Sequence, residues 1–160
     1  MPIRQATVKD AKAIQVLVLS LSYFYLSDKV TVLPKWFAKT LELSEFEHRL
    51  SSSEFNTFVY GEGGEIGGYI AIKQVKKQGA KESRHVYHLF VSAAHQGKGI
   101  AKQLWNTATL HSDIKHYTVR SSLNAVPVYK RFGFMEDGAV SSKDGICYQT
   151  MTLKQHVHKT

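Results

Sequence analysis

A strand that runs straight into a glycine-containing turn, which then opens a helix, restricts a chain to mixed α/β folds. This sequence holds one in His88-Leu89-Phe90-Val91-Ser92-Ala93-Ala94-His95-Gln96-Gly97-Lys98-Gly99-Ile100-Ala101-Lys102. Arg84 to Val91 is rich in β-branched and aromatic residues, as strands are. Ile100, Ala101, Leu104, Trp105 and Ala108 keep helical spacing within Gly97 to His111. The first N–H groups of such a helix lack internal partners and sit at the positive end of its dipole, which makes an anion site. Gly97 and Gly99 permit unusual φ values and close approach of a ligand to the backbone. Lys98 and Lys102 add positive charge at the helix end where the dipole alone disfavours it, and this points to an anionic ligand. Two glycines alone do not separate the site from an ordinary strand-to-helix turn. The familiar phosphate loops do not fit: there is no G-x-x-x-x-G-K-[ST], and Lys102 stands where G-x-G-x-x-G needs its third glycine. A nucleoside triphosphatase or a dinucleotide-binding enzyme is disfavoured.

The flanking sequence supplies the rest of the layers. Ile3 to Thr7 reads as a strand ending at a helix cap, with Thr7 and Asp10 as a variant capping box. Ala11, Ile14, Leu17, Val18 and Leu21 form one apolar stripe of a helix to about Ser22. Tyr23 to Lys39 reads as a loop with room for one short helical piece, and Leu43 to Leu50 as a second helix capped by Ser44. Thr57 to Tyr60 and Ile66 to Val75 form a hairpin around Glu62-Gly63-Gly64-Glu65. Lys76 to Ser83 is a polar, basic turn. After the central strand and helix come a strand at His116 to Val119, a helix at Ala125 to Phe132, and strands around Ala139 and from Cys147 to Leu153. The order is β-α-α-β-β-β-α-β-α-β-β. With 160 residues, 43% of them hydrophobic, and no repeat or linker, residues 1–160 read as a single domain.

Two motifs in this order resemble the GNAT superfamily of acyl-CoA-dependent N-acyltransferases. Gln96-Gly97-Lys98-Gly99-Ile100-Ala101 fits the family's [QR]-x-x-G-x-[GA] pyrophosphate loop at every defined position. Asn124-Ala125-Val126-Pro127-Val128-Tyr129-Lys130-Arg131-Phe132-Gly133-Phe134 resembles its N-x-x-A-x-x-x-Y-x-x-x-G-F helix, with the alanine placed slightly differently. The likeness is strongest over Glu82 to Met135. It implies an α/β (α+β) fold: a mixed, largely antiparallel sheet of about six to seven strands, flanked by about four helices. Arg84 to Val91 and His116 to Val119 would be a parallel pair that splays apart to admit acetyl-CoA as cosubstrate.

The same resemblance assigns roles. Backbone groups of Phe90 and Val91 would pair with the pantetheine arm. Gln96, Gly97, Lys98, Gly99, Ile100, Ala101 and Lys102 would form the pyrophosphate loop, and Asn124 would contact the cofactor through its amide; a cap for the next helix is its other reading, and the two roles are compatible. A backbone N–H near Val91 would stabilise the oxyanion. Tyr129 would protonate the departing thiolate as general acid, the rival reading being a core aromatic. For the general base, the stretch where many members carry a glutamate offers His85 and His88. The two-residue period of a strand puts these on opposite faces unless a bulge intervenes, so one of them should face the cleft. His88, closer to the reacting centre, is the favoured base and His85 the alternative; water or a structural role is the competing account. Tyr23-Phe24-Tyr25 and Trp36-Phe37 occupy the chain position of the family's acceptor wall.

The expected function is transfer of acetyl from acetyl-CoA to a primary amine of a small molecule, peptide or protein. A noncatalytic acyl-CoA sensor is the alternative, and retention of Tyr129 favours the enzyme. A nucleic-acid-binding module rests mainly on the net charge of +8. Its cations, Lys73, Lys76, Lys77, Lys81 and Arg84 among them, are scattered without a known motif, so nucleic acid is disfavoured as a partner. His156 and His158 lack a third ligand nearby, so no metal is expected. Lone Cys147 suits a half-buried strand position. The most apolar stretch, Ala13 to Leu26, is shorter than the roughly 20 residues a membrane helix needs, and no leader or lipidation signal is read at either end. A cytoplasmic monomer or homodimer is the expectation.

Overall fold

The structure, a computed structural model, describes residues 2–26, 32–62, 64–75 and 82–154. Gly63 of the first hairpin, Lys76, Lys77 and Lys81 of the basic turn, and His156 and His158 lie outside them. The elements are β1 (Ile3–Gln5), α1 (Ala11–Leu21), α2 (Lys35–Thr40), α3 (Leu43–Ser51), β2 (Phe55–Glu62), β3 (Glu65–Val75), β4 (Ser83–Val91), α4 (Ile100–Thr109), β5 (His116–Ser121), α5 (Val126–Phe132), β6 (Met135–Glu136), β7 (Ser141–Lys143) and β8 (Ile146–Lys154). One sheet runs β1-β2-β3-β4-β5-β8-β6, with β7 also paired to β8. All pairs are antiparallel except β4 with β5.

Each face of the sheet carries its own core. Ile14, Leu17, Val18 and Leu21 of α1 and Phe46 of α3 pack on Val59, Tyr69, Ala71 and Phe90. Ile100, Leu104 and Trp105 of α4 and Tyr129 of α5 pack on Ile70, Ile72, Val86, Val119 and Met151 on the other side. The periodic apolar stripe of α1 is buried throughout, and that of α4 is buried at Ile100, Leu104 and Trp105, with Ala101 and Ala108 half-buried.

Two features of β4 position the site. First, β4 pairs with β5 only through Arg84, His85 and Val86, although β4 continues to Val91 and β5 to Ser121. The parallel neighbours therefore splay after Val86. Second, Ala71 of β3 faces His88 while Ile72 faces Val86, so Tyr87 is an extra residue in β4. This bulge reverses the alternation, so that His85 and His88 share a face.

Several expectations shift at boundaries. Gly97 and Gly99 take φ of 79° and 77°, so α4 begins at Ile100 rather than Gly97. α3 is capped by Glu42, whose carbonyl receives the N–H of Glu45 and Phe46, leaving Ser44 inside the first turn. Ala139 lies in a bend beside Gly138 at φ 81° and belongs to no strand. The expected strand there is replaced by β6 and β7. β7 turns into β8 through Asp144-Gly145, both at positive φ, the preferred dipeptide of a tight hairpin.

Before α1, Asp10 is held by three contacts. Arg4 donates to its two carboxylate oxygens at 2.9 and 2.8 Å, and the Thr7 N–H donates to Oδ2 at 2.8 Å. The Arg4 hydrogen bonds hold the Asp10 carboxyl below its usual range, with burial opposing. Its contribution is complete above the unfolded pKa of about 3.9 and is lost as pH falls through the lower folded value. Asp10→Asn should cost about 1–2 kcal/mol at neutral pH in denaturant unfolding, less than for a buried charged pair because Arg4 is 39% exposed. The difference between the two proteins should vanish on acidification.

Candidate active site

The register of β3 and β4 decides which backbone groups enter the splay. The Ser92 N–H donates to the Gly67 carbonyl at 2.8 Å. In an antiparallel ladder alternate residues point their N–H and C=O to the same neighbour. Phe90, two residues before Ser92, thus directs its backbone to β3. Leu89 and Val91 direct theirs into the gap that β5 has left. Of the two residues expected to offer backbone there, Val91 does so together with Leu89, whereas Phe90 contributes its ring. The Val91 carbonyl accepts from Gln96 Nε2 at 3.0 Å, so Gln96 ties the glycine turn to the strand end.

A cavity of about 310 Å³ occupies the gap, lined by residues including Leu89, Phe90, Val91, Gln96, Ala101, Asn124 and Tyr129. It shares Val91, Gln96 and Ala101 with a cavity of about 450 Å³ beside the glycine turn. Here Gly97, Gly99, Ile100 and Lys102 line the wall, and so does Arg131. A Cβ built on Gly97 or Gly99 would meet no atom within 4 Å, so the turn leaves open space at its surface. The first α4 N–H to bond within the helix region is that of Gln103, to Gly99. Those of Ile100, Ala101 and Lys102 are the free donors of the helix start. Lys98 is exposed and does not line the cavity.

Asn124 belongs to a short turn, Leu123–Ala125, and α5 starts after Ala125 with no side-chain cap. Asn124 therefore makes no helix cap, and it lines the cavity. Tyr129, 4% exposed, projects from α5 into the same space, edge-on to Phe132 and Phe134. Burial, with Tyr25 nearby, pushes its phenol well above its ordinary value, so it stays protonated at neutral pH.

A third cavity, about 210 Å³, opens on the other side of Tyr25, which lines both spaces. Its walls include Trp36, Phe37, His85, Tyr87, His88, Arg120 and Tyr148. The bulge at Tyr87 thus brings both histidines to it, where a regular strand would have delivered one. His88 sits among Phe46, Tyr69, Tyr87 and Phe90, with Nδ1 3.0 Å from the Tyr69 hydroxyl. His85 Nδ1 lies 2.8 Å from Thr118 Oγ1. Burial, aided by Arg49, pulls the His88 pKa well below 6.5; burial, Arg120 and Lys73 pull that of His85 to about 4. Both rings are neutral at physiological pH. Phe24 lines the gap cavity and Trp36 and Phe37 the third, while Tyr23 lines neither. Arg131, Leu89 and Arg120 are site residues that periodicity alone did not single out. Among the described residues no group of three His, Cys, Asp or Glu is arranged to hold a metal, and no helix is long and apolar enough to cross a membrane.

The family described as "Acetyltransferase (GNAT) domain" matches residues 21–155. No curated protein matches the chain. Among solved structures, PaiA N-acetyltransferase from Thermoplasma acidophilum in complex with coenzyme A is 12% identical, with TM-score 0.74, covering 96% of this chain and 98% of that one. A predicted acetyltransferase with acetyl-CoA from Clostridium acetobutylicum is 16% identical, with TM-score 0.72 and coverage of 89% and 95%. A protein of Streptococcus mutans reaches TM-score 0.75 at 17% identity, covering 96% and 99%. At these identities the likeness is one of fold.

Proposed function

The chain belongs to the GNAT acetyltransferase family, and from that membership we propose that it transfers the acetyl group of acetyl-CoA to a primary amine by direct attack in a ternary complex. The observation that carries this reading is a row of cavities with shared walls: the one beside the glycine turn, with its free N–H groups, shares Val91, Gln96 and Ala101 with the one that holds Tyr129, and that one shares Tyr25 with a third. The Thermoplasma and Clostridium proteins, of the same fold, were solved with coenzyme A and acetyl-CoA, which supports the assignment of the gap.

The residues fit such a ligand. The N–H groups of Ile100, Ala101 and Lys102, with the open surface at Gly97 and Gly99, suit a pyrophosphate, and the Lys102 and Arg131 side chains add charge. Lys98 would act only at longer range. Leu89 and Val91 offer strand-like pairing to the pantetheine amides, as an added strand would receive it. The Asn124 amide offers a further polar contact. Acetyl-CoA supplies an acyl carbon on a thiol leaving group.

The chain's own groups then divide the chemistry. The Leu89 N–H, one residue from His88, donates to the carbonyl oxygen as it gains charge. As the amine nitrogen bonds the acyl carbon and the carbon–sulfur bond breaks, His88 accepts the amine proton, and Tyr129 gives its own to the departing sulfur. Solvent then restores both. His85, three residues along on the same face, is the alternative acceptor. The base role requires the tautomer whose free nitrogen faces the cavity.

Because both histidines are neutral well below pH 6.5, kcat/KM for the acceptor should rise with pH along the amine's own titration, near ~7.7–8.0 for an α-amine, with no inflection at about 6.5. His85→Ala and His88→Ala that both keep the parent kcat/KM at every pH of the profile would remove the histidine base. The overall reading is tested by free-thiol release from acetyl-CoA with a panel of amines. Amine-dependent release supports transfer; tight binding of acetyl-CoA without release across the panel supports a sensor.

A further inference from the structure

The third cavity has a chemistry that narrows the acceptor. Trp36, Phe37, Tyr87 and Tyr148 give it an aromatic wall, and it shares Tyr25 with the gap cavity. At about 210 Å³ it lies below the roughly 300–1,000 Å³ of typical small-molecule sites, which suits one ring-sized body with a short polar end. The Trp36 ring is fixed from behind: its Nε1–H donates to Asp144 Oδ2 at 2.7 Å, and Lys143 Nζ stands 4.6 Å from its centroid.

The charge of the cavity has one sign. None of the described residues lining it is acidic. Arg120 lines it, with its guanidinium 5.6 Å from the centre of the Tyr148 ring. His85, Tyr87 and Arg120 also line an adjoining cleft that holds Lys73, with Glu54 as its acidic member. Asp144 is engaged by Trp36. An acceptor with a second ammonium group would meet Arg120 without a carboxylate to receive it. A carboxylate would meet a planar, always charged donor beside an aromatic ring, a group able to make two parallel hydrogen bonds.

We propose that the acceptor is a small primary amine with an apolar, ring-sized body and a carboxylate, the body lying among Trp36, Phe37 and Tyr87 and the carboxylate on Arg120. This rests on the acetyltransfer reading, whose bond changes it shares: nitrogen to carbon forms, carbon to sulfur breaks, and coenzyme A leaves as the thiol. Neutral His85 and His88 complete a pocket that carries no repulsive charge toward an anion.

Two acid and carboxamide pairs of matched shape test this: 4-(aminomethyl)benzoate with 4-(aminomethyl)benzamide, and phenylalanine with phenylalaninamide, with spermidine as the polycationic comparison. In at least one pair the acid should exceed its carboxamide, and spermidine, by about tenfold or more in kcat/KM, the scale of one hydrogen bond to a charged group. Arg120→Gln should collapse that ratio toward one. Carboxamides or spermidine matching the acids in both pairs, or a ratio unmoved by Arg120→Gln, would overturn the proposal. If nothing is acetylated, calorimetric titration of the coenzyme A-loaded protein separates the two readings. Tighter binding of an acid than of its carboxamide, lost in Arg120→Gln, would keep this proposal while the transfer reading falls. Equal binding of acid and carboxamide would overturn it.

Discussion

Tyr129→Phe should lower kcat by about 10²–10⁴-fold, the range a positioned proton donor supplies, while the Kd for acetyl-CoA changes by less than about threefold. The substitution removes one oxygen and keeps the ring, which packs against Phe132 and Phe134. Folding should therefore be preserved, and the loss should lie in the chemical step. Burial keeps the phenol protonated across the working pH range, so the parent enzyme should show no alkaline limb from this residue near pH 10. Pre-steady-state measurement of thiol release isolates the step. A rate equal to the parent's would mean that Tyr129 is a core aromatic and that the leaving thiolate finds its proton elsewhere.

The second large effect belongs to the glycine turn. Gly99→Val should weaken acetyl-CoA binding by about 10–100-fold. A φ of 77° costs a residue with a Cβ about 1–2 kcal/mol, and more for a β-branched one. A Cβ at this position would meet no protein atom within 4 Å, and Gly99 lines the cavity assigned to the pyrophosphate, so the added bulk competes with the ligand for open space rather than with the protein. Calorimetry should report the loss in affinity, with a smaller fall in unfolding free energy from the strained φ. Affinity equal to the parent's would move the pyrophosphate away from this turn.

What the sequence made legible divides along a physical line. The strand, glycine turn and helix of residues 84–111 are encoded locally, through β-branched composition, glycine and a 3.6-residue apolar period, and all three are present, with the helix confined to Ile100–Thr109. The splay of β4 from β5 was reached through two motifs together. The bulge at Tyr87 was not readable, because it depends on how β4 registers against β3, so one histidine was expected where two share the cavity. The exchange of Phe90 for Leu89 as a source of gap-facing backbone has the same origin: alternation in a ladder starts from a partner's hydrogen bond. Arg131 and Arg120 reach their cavities because α5 lies beside α4 and β5 diverges from β4, which are tertiary facts. The β7–β8 hairpin has a local signal in Asp144-Gly145, whereas the strand expected around Ala139 is a bend beside Gly138.

The net charge of +8 gains only a partial address. Lys102 and Arg131 stand at the cavity beside the glycine turn, and Arg120 at the acceptor cavity, with Lys73 in the cleft adjoining it. Both groupings suit small anionic ligands.

The central claim is that acetyl moves from a thioester held beside β4 to an amine held beyond Tyr25. Its most direct test is mass spectrometry of an amine panel incubated with the protein and ¹³C-acetyl-labelled coenzyme A, with free thiol measured in the same samples. The labelled acetyl group should appear on the nitrogen of an acceptor, with one thiol released for each acetylated amine, and both should be lost in Tyr129→Phe. Acetyl-CoA bound at saturation with no labelled amine across the panel would contradict it.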